Sequence, residues 1–303
     1  MLLVTLKRIE HAIAAYDHAG VTAAARALNV SQPSLTVSIS QLESELGCPL
    51  FIRRKGHEIK PTSFGRSFFR EAKILIRQAN ALMASAKPHT EISGNITFGC
   101  FEDLAPFHLA NIVARMSLEY PGIVVNCSVS GFDTLASRLI QGTIDVVLTY
   151  DLGLSSQVER IPVSSTKPYA LVAKAHRFAS LSSITLKELA SEPLILTSQT
   201  FSWQHMLTLF NAQDLEPVVG FKASSIELQR SFVGNGLGVA ISYARPFALE
   251  SYDGKPLHML EIDDELPTQR ILLAHAKNNP PSEAVTYLIE LVQKVINTGN
   301  LVG

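Results

Sequence analysis

Cysteine is scarce in this chain: only Cys48, Cys100 and Cys127 occur among its 303 residues. No two of them form a CxxC pair, and none lies beside a cluster of histidines. This spacing argues against a zinc site and against the disulfide framework of a small secreted protein. A redox sensor would need a thiol of low pKa with a resolving partner, and the sequence indicates neither. We therefore expect all three cysteines to be small buried hydrophobic residues.

Long hydrophobic runs are also missing. No stretch reaches the roughly 18 to 20 apolar residues that a membrane span needs, and the N-terminal MLLVTLKRIEHA places charges too early for a signal-peptide core. The composition, 47% hydrophobic and 17% charged, is typical of soluble globular proteins, and the length allows two or three domains. We expect a cytoplasmic protein that does not bind a membrane.

The sequence motifs of common enzyme classes are absent. There is no GxSxG elbow, HExxH pair, Walker loop or GxGxxG segment after a strand. GNGLG at Gly234 to Gly238 follows a predicted helix, so it indicates a helix end and a turn. His108 and His205 fall in helical segments without evident partners. We therefore predict a protein that is not an enzyme and that holds neither a cofactor nor a metal.

The net charge of −1 hides an uneven distribution. Residues 1–90 carry 12 Lys and Arg against 6 Asp and Glu, a net of +6, whereas the rest carries 14 against 21, a net of −7. Such a split predicts a basic module that binds a polyanion, joined to an acidic module with another task.

The basic module begins with three predicted helices. Apolar residues at helical spacing predict a first helix from Leu6 to roughly Ala19, ended by Gly20. Thr22 is placed to cap a short second helix, and Ser31 to cap a third, with Pro33 in its first turn. Two helices joined by a short turn match a helix-turn-helix, whose second helix enters the DNA major groove.

The third helix has one apolar stripe and an opposite face almost free of charge. Leu35, Ile39, Leu42 and Leu46 form the stripe, and Val37 falls opposite it. Short hydrogen-bonding groups on the outer face are suited to base edges. The candidate DNA contacts of the two helices are Thr22, Ser31, Gln32, Pro33, Ser34, Thr36, Val37, Ser38 and Gln41.

The segment CPLFIRRKGHEIKPT follows the third helix. Extended pieces around Leu50 to Ile52 and Glu58 to Lys60 predict a hairpin wing, which would bring Arg53, Arg54 and Lys55 beside DNA phosphates, together with Lys60. The alternative is a charge run that only keeps the surface soluble.

A long helix is predicted after Thr62. Apolar residues alternate at spacings of four and three, at Phe68, Ala72, Leu75, Ala79, Leu82 and Ala86, which is a heptad seam. A dimerising linker helix explains the seam and would present two recognition helices to a DNA site of dyad symmetry. The alternative is a single helix that packs on its own domain.

From Gly94 onward predicted strands and helices alternate, which indicates two α/β lobes with parallel sheets. Ligands bind beyond the carboxyl ends of such strands, here the cleft between the lobes. The candidate effector contacts there are Cys100, Phe101, Glu102, Asp103, Gly131, Phe132, Tyr150, Thr197, Ser198, Gln199, Ser202, Trp203 and Tyr243.

The stretch AARALNVSQPSLTVSISQLESELGCPLFIRR, followed by KPTSFG, closely resembles the DNA-binding domain of the LysR-type transcriptional regulators. GCFEDLAP, YPGIVV, QGTIDVVL and VGNGLGVAIS extend the resemblance, with lower specificity, into the rest of the chain. In that family the Ser-Gln-Pro start of the third helix enters the major groove, here Ser31, Gln32 and Pro33. This sequence departs at Val37, where members often have Arg, and at Phe64, where they often have Ala.

The resemblance implies a fold and an assembly. The fold class expected is α/β, with an all-α-rich winged helix-turn-helix N-terminal domain (1–61), a linker helix (62–90) and an effector domain like a periplasmic solute-binding protein (91–303). Lobe I would comprise about 91–164 and 268–303, and lobe II about 165–267. The implied function is an effector-responsive transcriptional regulator that forms a homodimer through the linker helix and a homotetramer. A solute-binding receptor is the alternative.

Glu102 and Asp103 depart from the resembled family, in which the position of Asp103 is often a Ser or Thr that binds an effector carboxylate. One interpretation is helix capping, since acidic residues are favourable near a helix start. The other is that two carboxylates disfavour a plain organic acid and suit an effector that carries an amine.

Overall fold

A computed structural model describes residues 4–52, 59–85, 92–246 and 248–299, which form two compact units: one of residues up to Gly94, the other of most of residues 95–303. Within these described ranges no helix has both the length and the apolar character of a membrane span.

The first unit begins with a three-helix core: α1 (Leu6–Asp17), α2 (Val21–Ala27) and α3 (Gln32–Leu46). The predicted stripe of α3 is confirmed at Leu35, Ile39 and Leu42, each no more than 1% exposed. The predicted cap at Thr22 is wrong. Gly20 is the N-cap of α2, because its carbonyl accepts the first helical hydrogen bond, from Ala24, and Thr22 therefore lies within the first turn.

The ends of α3 are fixed by local hydrogen bonds. Ser31 caps the helix as predicted, its hydroxyl accepting from the backbone N–H of Ser34 at 3.3 Å. Gly47 ends the helix at φ 66°, a left-handed conformation that glycine adopts without a steric penalty. The Glu43 carboxylate then accepts from the N–H groups of Leu50 and Phe51, at 2.8 and 3.1 Å, so it holds the chain that leaves α3.

Two short antiparallel strands follow, β1 (Phe51–Ile52) and β2 (Lys60–Pro61), as the wing prediction requires. Arg53, Arg54 and Lys55 lie outside the described residues.

The long helix α4 (Ser63–Ser85) starts on the core of the same unit. Ala72 is buried there, and Phe68 is partly buried against the same core. Farther along the predicted seam, Leu75 and Leu82 are 45% and 69% exposed, and Ala86 lies outside the described residues. The first part of the helix thus packs on its own domain, which was the alternative, while the later part presents apolar side chains to solvent.

The first sheet of the second unit has five strands in the order β4-β3-β5-β13-β6. The elements of this lobe are β3 (Ser93–Phe101), α5 (Ala105–Glu119), β4 (Gly122–Ser130), α6 (Phe132–Ile140), β5 (Val146–Tyr150), β6 (Val158–Thr166), β13 (Gln269–Ala276) and α10 (Glu283–Gly299). The chain thus returns to this sheet with β13 and α10.

The second lobe has a four-stranded sheet, β11-β7-β12-β8, and a parallel pair, β10-β9. Its elements are β7 (Tyr169–Ala173), a 3₁₀ turn (Arg177–Ser180), β8 (Ser183–Ile184), α7 (Leu186–Leu189), β9 (Leu194–Thr197), α8 (Thr200–Asn211), β10 (Val219–Ala223), α9 (Ile226–Gly234), β11 (Ala240–Ser242) and β12 (Leu257–Ile262).

The prediction of purely parallel sheets is wrong, because both main sheets are mixed. β3 and β5 run parallel, but β13 is antiparallel to β5 and β6, and β7 is antiparallel to β11 and β12. The strand β6 was also missed: it contains Pro162 and charged residues, which an edge strand tolerates and a pattern search for buried strands passes over.

Candidate functional site

The outer face of α3 carries the predicted DNA contacts. Val37 is 55% exposed, and Gln32, Pro33 and Gln41 are exposed beside it. Ser31, Ser34 and Thr22 are exposed as well. The helix therefore presents an amide-rich and uncharged surface of the kind that fits base edges.

Two of the predicted contacts are engaged inside the unit. The Thr36 hydroxyl donates to the carbonyl of Gln32 at 2.9 Å, one turn back in the same helix. The Ser38 hydroxyl lies 2.8 Å from Nδ1 of His11, a side chain of α1 that is 8% exposed. These bonds turn both hydroxyl groups toward the protein, so the outward-directed contacts on α3 are chiefly Gln32, Ser34, Val37 and Gln41.

The second candidate site is the cleft between the two lobes. A narrow cavity of ≈ 30 Å³ lies there, lined by Asp103 and Tyr150 from the first lobe and by Thr197, Ser202 and Tyr243 from the second. A water needs roughly 10 to 15 Å³ measured in this way, so the space admits about two waters and no organic effector. This cavity is therefore much smaller than an organic effector.

Asp103 is the most unusual group in this cleft. Its Oδ1 atom is buried and has no hydrogen-bond partner among the described residues. Burial raises the pKa of Asp103 to about 7, and the nearby charges of Glu102 and Glu227 contribute to the rise. Burial, followed by the charge of Glu227, also raises the pKa of Glu102. Three carboxyl groups, two from the first lobe and one from α9 of the second, therefore raise one another's pKa in one region, where Glu227 also interacts with the buried Arg230.

The capping interpretation of the Glu102 and Asp103 pair fails. The N-cap of α5 is Leu104, no side chain caps this helix, and its first turn holds no acidic residue. Neither carboxylate forms a capping hydrogen bond, although both come directly before the start of α5, where a negative charge is favourable.

Two further polar groups in the cleft lack partners. The Tyr150 side chain is 5% exposed and packs against the rings of Phe101 and Tyr243, yet its hydroxyl has no hydrogen bond among the described residues. Burial, followed by the charge of Asp103, raises the pKa of Tyr150 well above its usual value, so the hydroxyl stays protonated and able to donate. Both amide atoms of Gln199 are also buried and unpartnered, and a Cβ atom on Gly131 would come within 3.2 Å of its Oε1. Asp103 and Tyr150 thus line the cavity without hydrogen-bond partners, whereas Gln199 lies beside Gly131, and Gln199, Gly131 and Glu102 are outside the cavity lining.

His205 is a cleft residue that the sequence analysis left without a role. Its Nε2 atom lies 3.2 Å from the Tyr243 hydroxyl, which also reaches the carbonyl of Pro267 at 3.4 Å. Burial lowers the pKa of His205, so the imidazole is neutral, and burial raises the pKa of Tyr243 to about 12. Only the fold reveals this pair, because the two residues lie 38 positions apart. Ser242, which was expected beside Tyr243, also lines the cavity, and other lining residues that were missed are Leu152, Leu196, Met206, Ile226, Gln229, Ile241, Ala244 and Gln269.

Several predicted effector contacts do not line the cavity. Cys100 and Phe101 are the last residues of β3 and Phe132 is the first of α6, and all three belong to the buried core of the first lobe. Trp203 packs on the core of the second lobe, and Lys222 Nζ lies 3.9 Å above its ring. Ser198 is exposed.

The expectation that all cysteines are buried is only partly right. Cys100 is buried, and that burial raises its pKa to about 12, which leaves the thiol unreactive. Cys48 follows the turn at Gly47 and Cys127 lies in β4 at the end of the five-stranded sheet, and both are exposed. Within the described part of the chain, no group of three or more His, Cys, Asp or Glu residues is arranged to hold a metal ion.

Comparison with known proteins accounts for both units. The family described as LysR substrate binding domain matches residues 89–297, and the bacterial regulatory helix-turn-helix protein, lysR family, matches residues 6–66. The HTH-type transcriptional regulator YybE of Bacillus subtilis is 28% identical over 242 residues, which cover 78% of each chain. The regulator CysB of Haemophilus influenzae is 27% identical over 73% of this chain and 69% of its own.

Solved structures give the same result. A LysR family transcriptional regulator from Pseudomonas aeruginosa superposes with a TM-score of 0.66 at 28% identity, covering 97% of this chain and 99% of its own. A full-length OxyR from Pseudomonas aeruginosa, at 20% identity, shares the fold with a TM-score of 0.75 over 96% of this chain and 97% of its own.

Proposed function

This chain belongs to the LysR family of transcriptional regulators, and from that premise we propose that its effector carries an amine, bound by Asp103 in the cleft between the lobes. As a member of that family the chain is a DNA-binding transcriptional regulator with an effector-binding domain. Its relatives are transcriptional regulators and neither enzymes nor solute-binding receptors, so the receptor alternative loses its support.

The buried carboxyl group of Asp103 carries the proposal. An isolated carboxylate is costly in a low-dielectric site unless a partner compensates it, and the charged groups that act on Asp103 among the described residues are two further carboxylates, Glu102 and Glu227. An ammonium group supplies the missing donors and the missing charge together. A simple dianion, in contrast, would meet like charge from both lobes.

The unpartnered Tyr150 hydroxyl suggests the rest of the effector. It lines the same cavity as Asp103 and can donate a hydrogen bond, so it suits an acceptor group of the effector near the amine. An amino acid or a polyamine-like metabolite fits this pattern. The apolar lining around Met206 and Ile226 suits a short carbon chain between the polar groups.

Entry of the effector requires the lobes to separate, because the cavity of ≈ 30 Å³ is too small for it. An effector that binds one lobe arrangement better than another shifts the population toward that arrangement. We propose that this shift changes the spacing of the DNA-binding units and the bend of the DNA.

On the DNA side, we propose that α3 enters the major groove with Gln32 and Ser34 at base edges and Val37 against a thymine methyl group. Thr22, Ser31, Pro33 and Gln41 would lie along the same contact, while Arg53, Arg54 and Lys55 would reach phosphates from the wing. A bidentate amide contact from Gln32 is worth about 1 to 3 kcal/mol of base discrimination.

The exposed seam of α4 suggests the assembly. Leu75 and Leu82 are too exposed for a helix that packs only on its own domain, and they continue the heptad of Phe68 and Ala72. A second copy of α4 would cover them and place two α3 helices on an operator of dyad symmetry. Further pairing through the effector domains would give a homotetramer. A DNA partner of this kind places the protein in the cytoplasm.

Isothermal titration of the full chain tests the effector class. The panel pairs amino acids and diamines with organic acids of the same carbon length. We expect measurable heats only with the amines, and loss of binding in Asp103→Asn. Tight binding of a plain dianion such as succinate would overturn the proposal.

A further inference from the structure

A groove of ≈ 460 Å³ lies between the start of α1 and the outer face of α3. The N-cap of α1 and three α1 residues line one side, and five α3 residues line the other; they are Thr5, Lys7, Arg8 and His11 opposite Pro33, Ser34, Val37, Ser38 and Gln41. The α3 side of the groove is the same surface that presents the proposed base contacts. Anything bound against that surface therefore lies next to this groove.

The groove has a single uncompensated positive charge. No acidic residue lines it, and of its two permanent cations Arg8 is ion-paired with Glu45 of α3. Lys7 is exposed and, among the described residues, forms no ion pair with a carboxylate. The α3 side offers no cation, since Val37 occupies its middle.

The floor of the groove is polar, neutral and held in place. His11 lies 2.8 Å from the Ser38 hydroxyl, and burial, followed by the charge of Lys7, lowers the pKa of His11. At neutral pH the floor therefore carries no charge of its own, and the His11–Ser38 pair keeps one donor beyond the bond between them, the ring N–H or the hydroxyl according to the tautomer. Thr5 adds a hydroxyl at the rim, where it also caps α1.

We propose that this groove seats a phosphate of the DNA backbone, with Lys7 as the cation that neutralises it. Helix α1 thereby joins the DNA interface and supplies the charge that the outer face of α3 lacks. The inference rests on the proposed placement of α3 in the major groove. It adds a contact that carries no base information, because phosphates are the same in every sequence.

The test is the salt dependence of DNA binding by the full-length chain. Each phosphate contact contributes about 0.9 to the slope of log K against log salt concentration. Lys7→Gln should make that slope shallower by about this amount and should weaken binding to a mixed-sequence duplex and to the operator alike. Lys187→Gln, which removes an exposed lysine from the effector domain, is the matched control and should leave the slope unchanged.

A rescue variant fixes the location of the contact. Because Val37 lines the same groove as Lys7, the double variant Lys7→Gln/Val37→Lys should restore the slope. If Lys7→Gln has the same salt dependence as the wild type, the proposal is wrong. If Lys7→Gln has a shallower slope and the double variant with Val37→Lys does not recover the wild-type slope, the proposal is also wrong, because Lys7 would then contact DNA at another place.

The placement of α3 is tested separately by Gln32→Ala. If Gln32→Ala weakens operator binding while Lys7→Gln has no effect, the groove proposal alone fails. If neither variant changes DNA binding, the placement of α3 itself is wrong.

Discussion

The polar side chains on α3 and those in the cleft between the lobes differ in their exposure to water and in whether they have hydrogen-bond partners. On α3, Gln32 and Gln41 face solvent and Ser38 is bonded to His11, so every group has water or a partner. In the cleft, the Oδ1 atom of the partly buried Asp103 and the hydroxyl of Tyr150 are withdrawn from water and have no partner among the described residues. An exposed polar side chain forms hydrogen bonds with water, so it has no desolvation penalty before it binds a partner. A buried polar group without a partner lowers the stability of the fold, and a ligand that pairs with it can remove that penalty.

The two regions also differ in charge. The basic first 90 residues are suited to DNA, and the acidic remainder places three carboxyl groups, Glu102, Asp103 and Glu227, around the cleft. Under the two proposals, α3 and its surroundings bind an anion, whereas the cleft binds a cation.

Asp103→Asn should produce the largest change, in the stability of the effector domain. The pKa of Asp103 rises from 3.8 to about 7 on folding, so the folded state binds the proton more tightly than the unfolded state. Wild-type stability should therefore fall as pH rises from about 4 to about 7, by at most ~4 kcal/mol from this group, and the loss is complete above pH 7.

Urea unfolding at pH 5 and pH 8 measures this effect. We expect Asp103→Asn to be more stable than the wild type at pH 8 by about 2 to 4 kcal/mol, and the difference to shrink toward pH 5. Asp133→Asn, at an exposed aspartate of α6, should keep the wild-type pH dependence. Equal free energies of unfolding for Asp103→Asn and the wild type at both pH values would show that ionisation of Asp103 does not destabilise the folded state.

Gln32→Ala tests the proposed base contact of α3. Loss of the amide should weaken operator binding by about 1 to 3 kcal/mol and relax the preference for its base pair. Arg53→Ala should instead weaken operator and random duplex by similar factors, because its expected partner is a phosphate. Fluorescence anisotropy with both duplexes separates the two cases, and a Gln32→Ala loss that is equal on both would refute a base contact.

Leu82→Glu tests whether α4 pairs with a second copy. A charge on the exposed seam should weaken the dimer by about 1 to 2 kcal/mol, because it replaces a buried leucine contact with an ionised group. Met83→Glu is the control, since Met83 is also 69% exposed but lies off the seam. Sedimentation equilibrium compares the two, and an equal effect of both variants would argue against the seam.

Val37→Arg should give the smallest change in total affinity but an informative change in preference. The new guanidinium should strengthen binding to all duplexes and shift the preferred base away from thymine, since the apolar contact is replaced by guanine-seeking donors. Binding-site selection from a random pool reports this shift. An unchanged preferred sequence would mean that Val37 faces only solvent.

Local patterns predicted the first unit well. The stripe of Leu35, Ile39 and Leu42 and the Ser31 cap follow from helical spacing and capping chemistry, which depend on neighbours in sequence. Thr22 was misassigned because Gly20 has no side chain to signal a cap.

The cleft could be predicted only in outline. The residues after β3, β5, β9 and β11 do provide Asp103, Tyr150, Thr197 and Tyr243, as expected from strand ends. The pairing of His205 with Tyr243 could not be predicted, because it depends on how α8 packs against the chain after β11. The burial of the Asp103 Oδ1 atom likewise depends on residues distant in sequence, so local patterns do not predict it.

The most direct test of the central claim is the pH dependence of amine binding. An ammonium group binds ionised Asp103, so below its pKa of about 7 the carboxyl group must first lose its proton. Titration of the wild type with an amine that binds should therefore show affinity rising by up to about tenfold per pH unit until about pH 7 and then levelling. Asp103→Asn should bind weakly at every pH. A wild-type affinity that is the same at pH 5.5 and pH 7.5 would contradict the account.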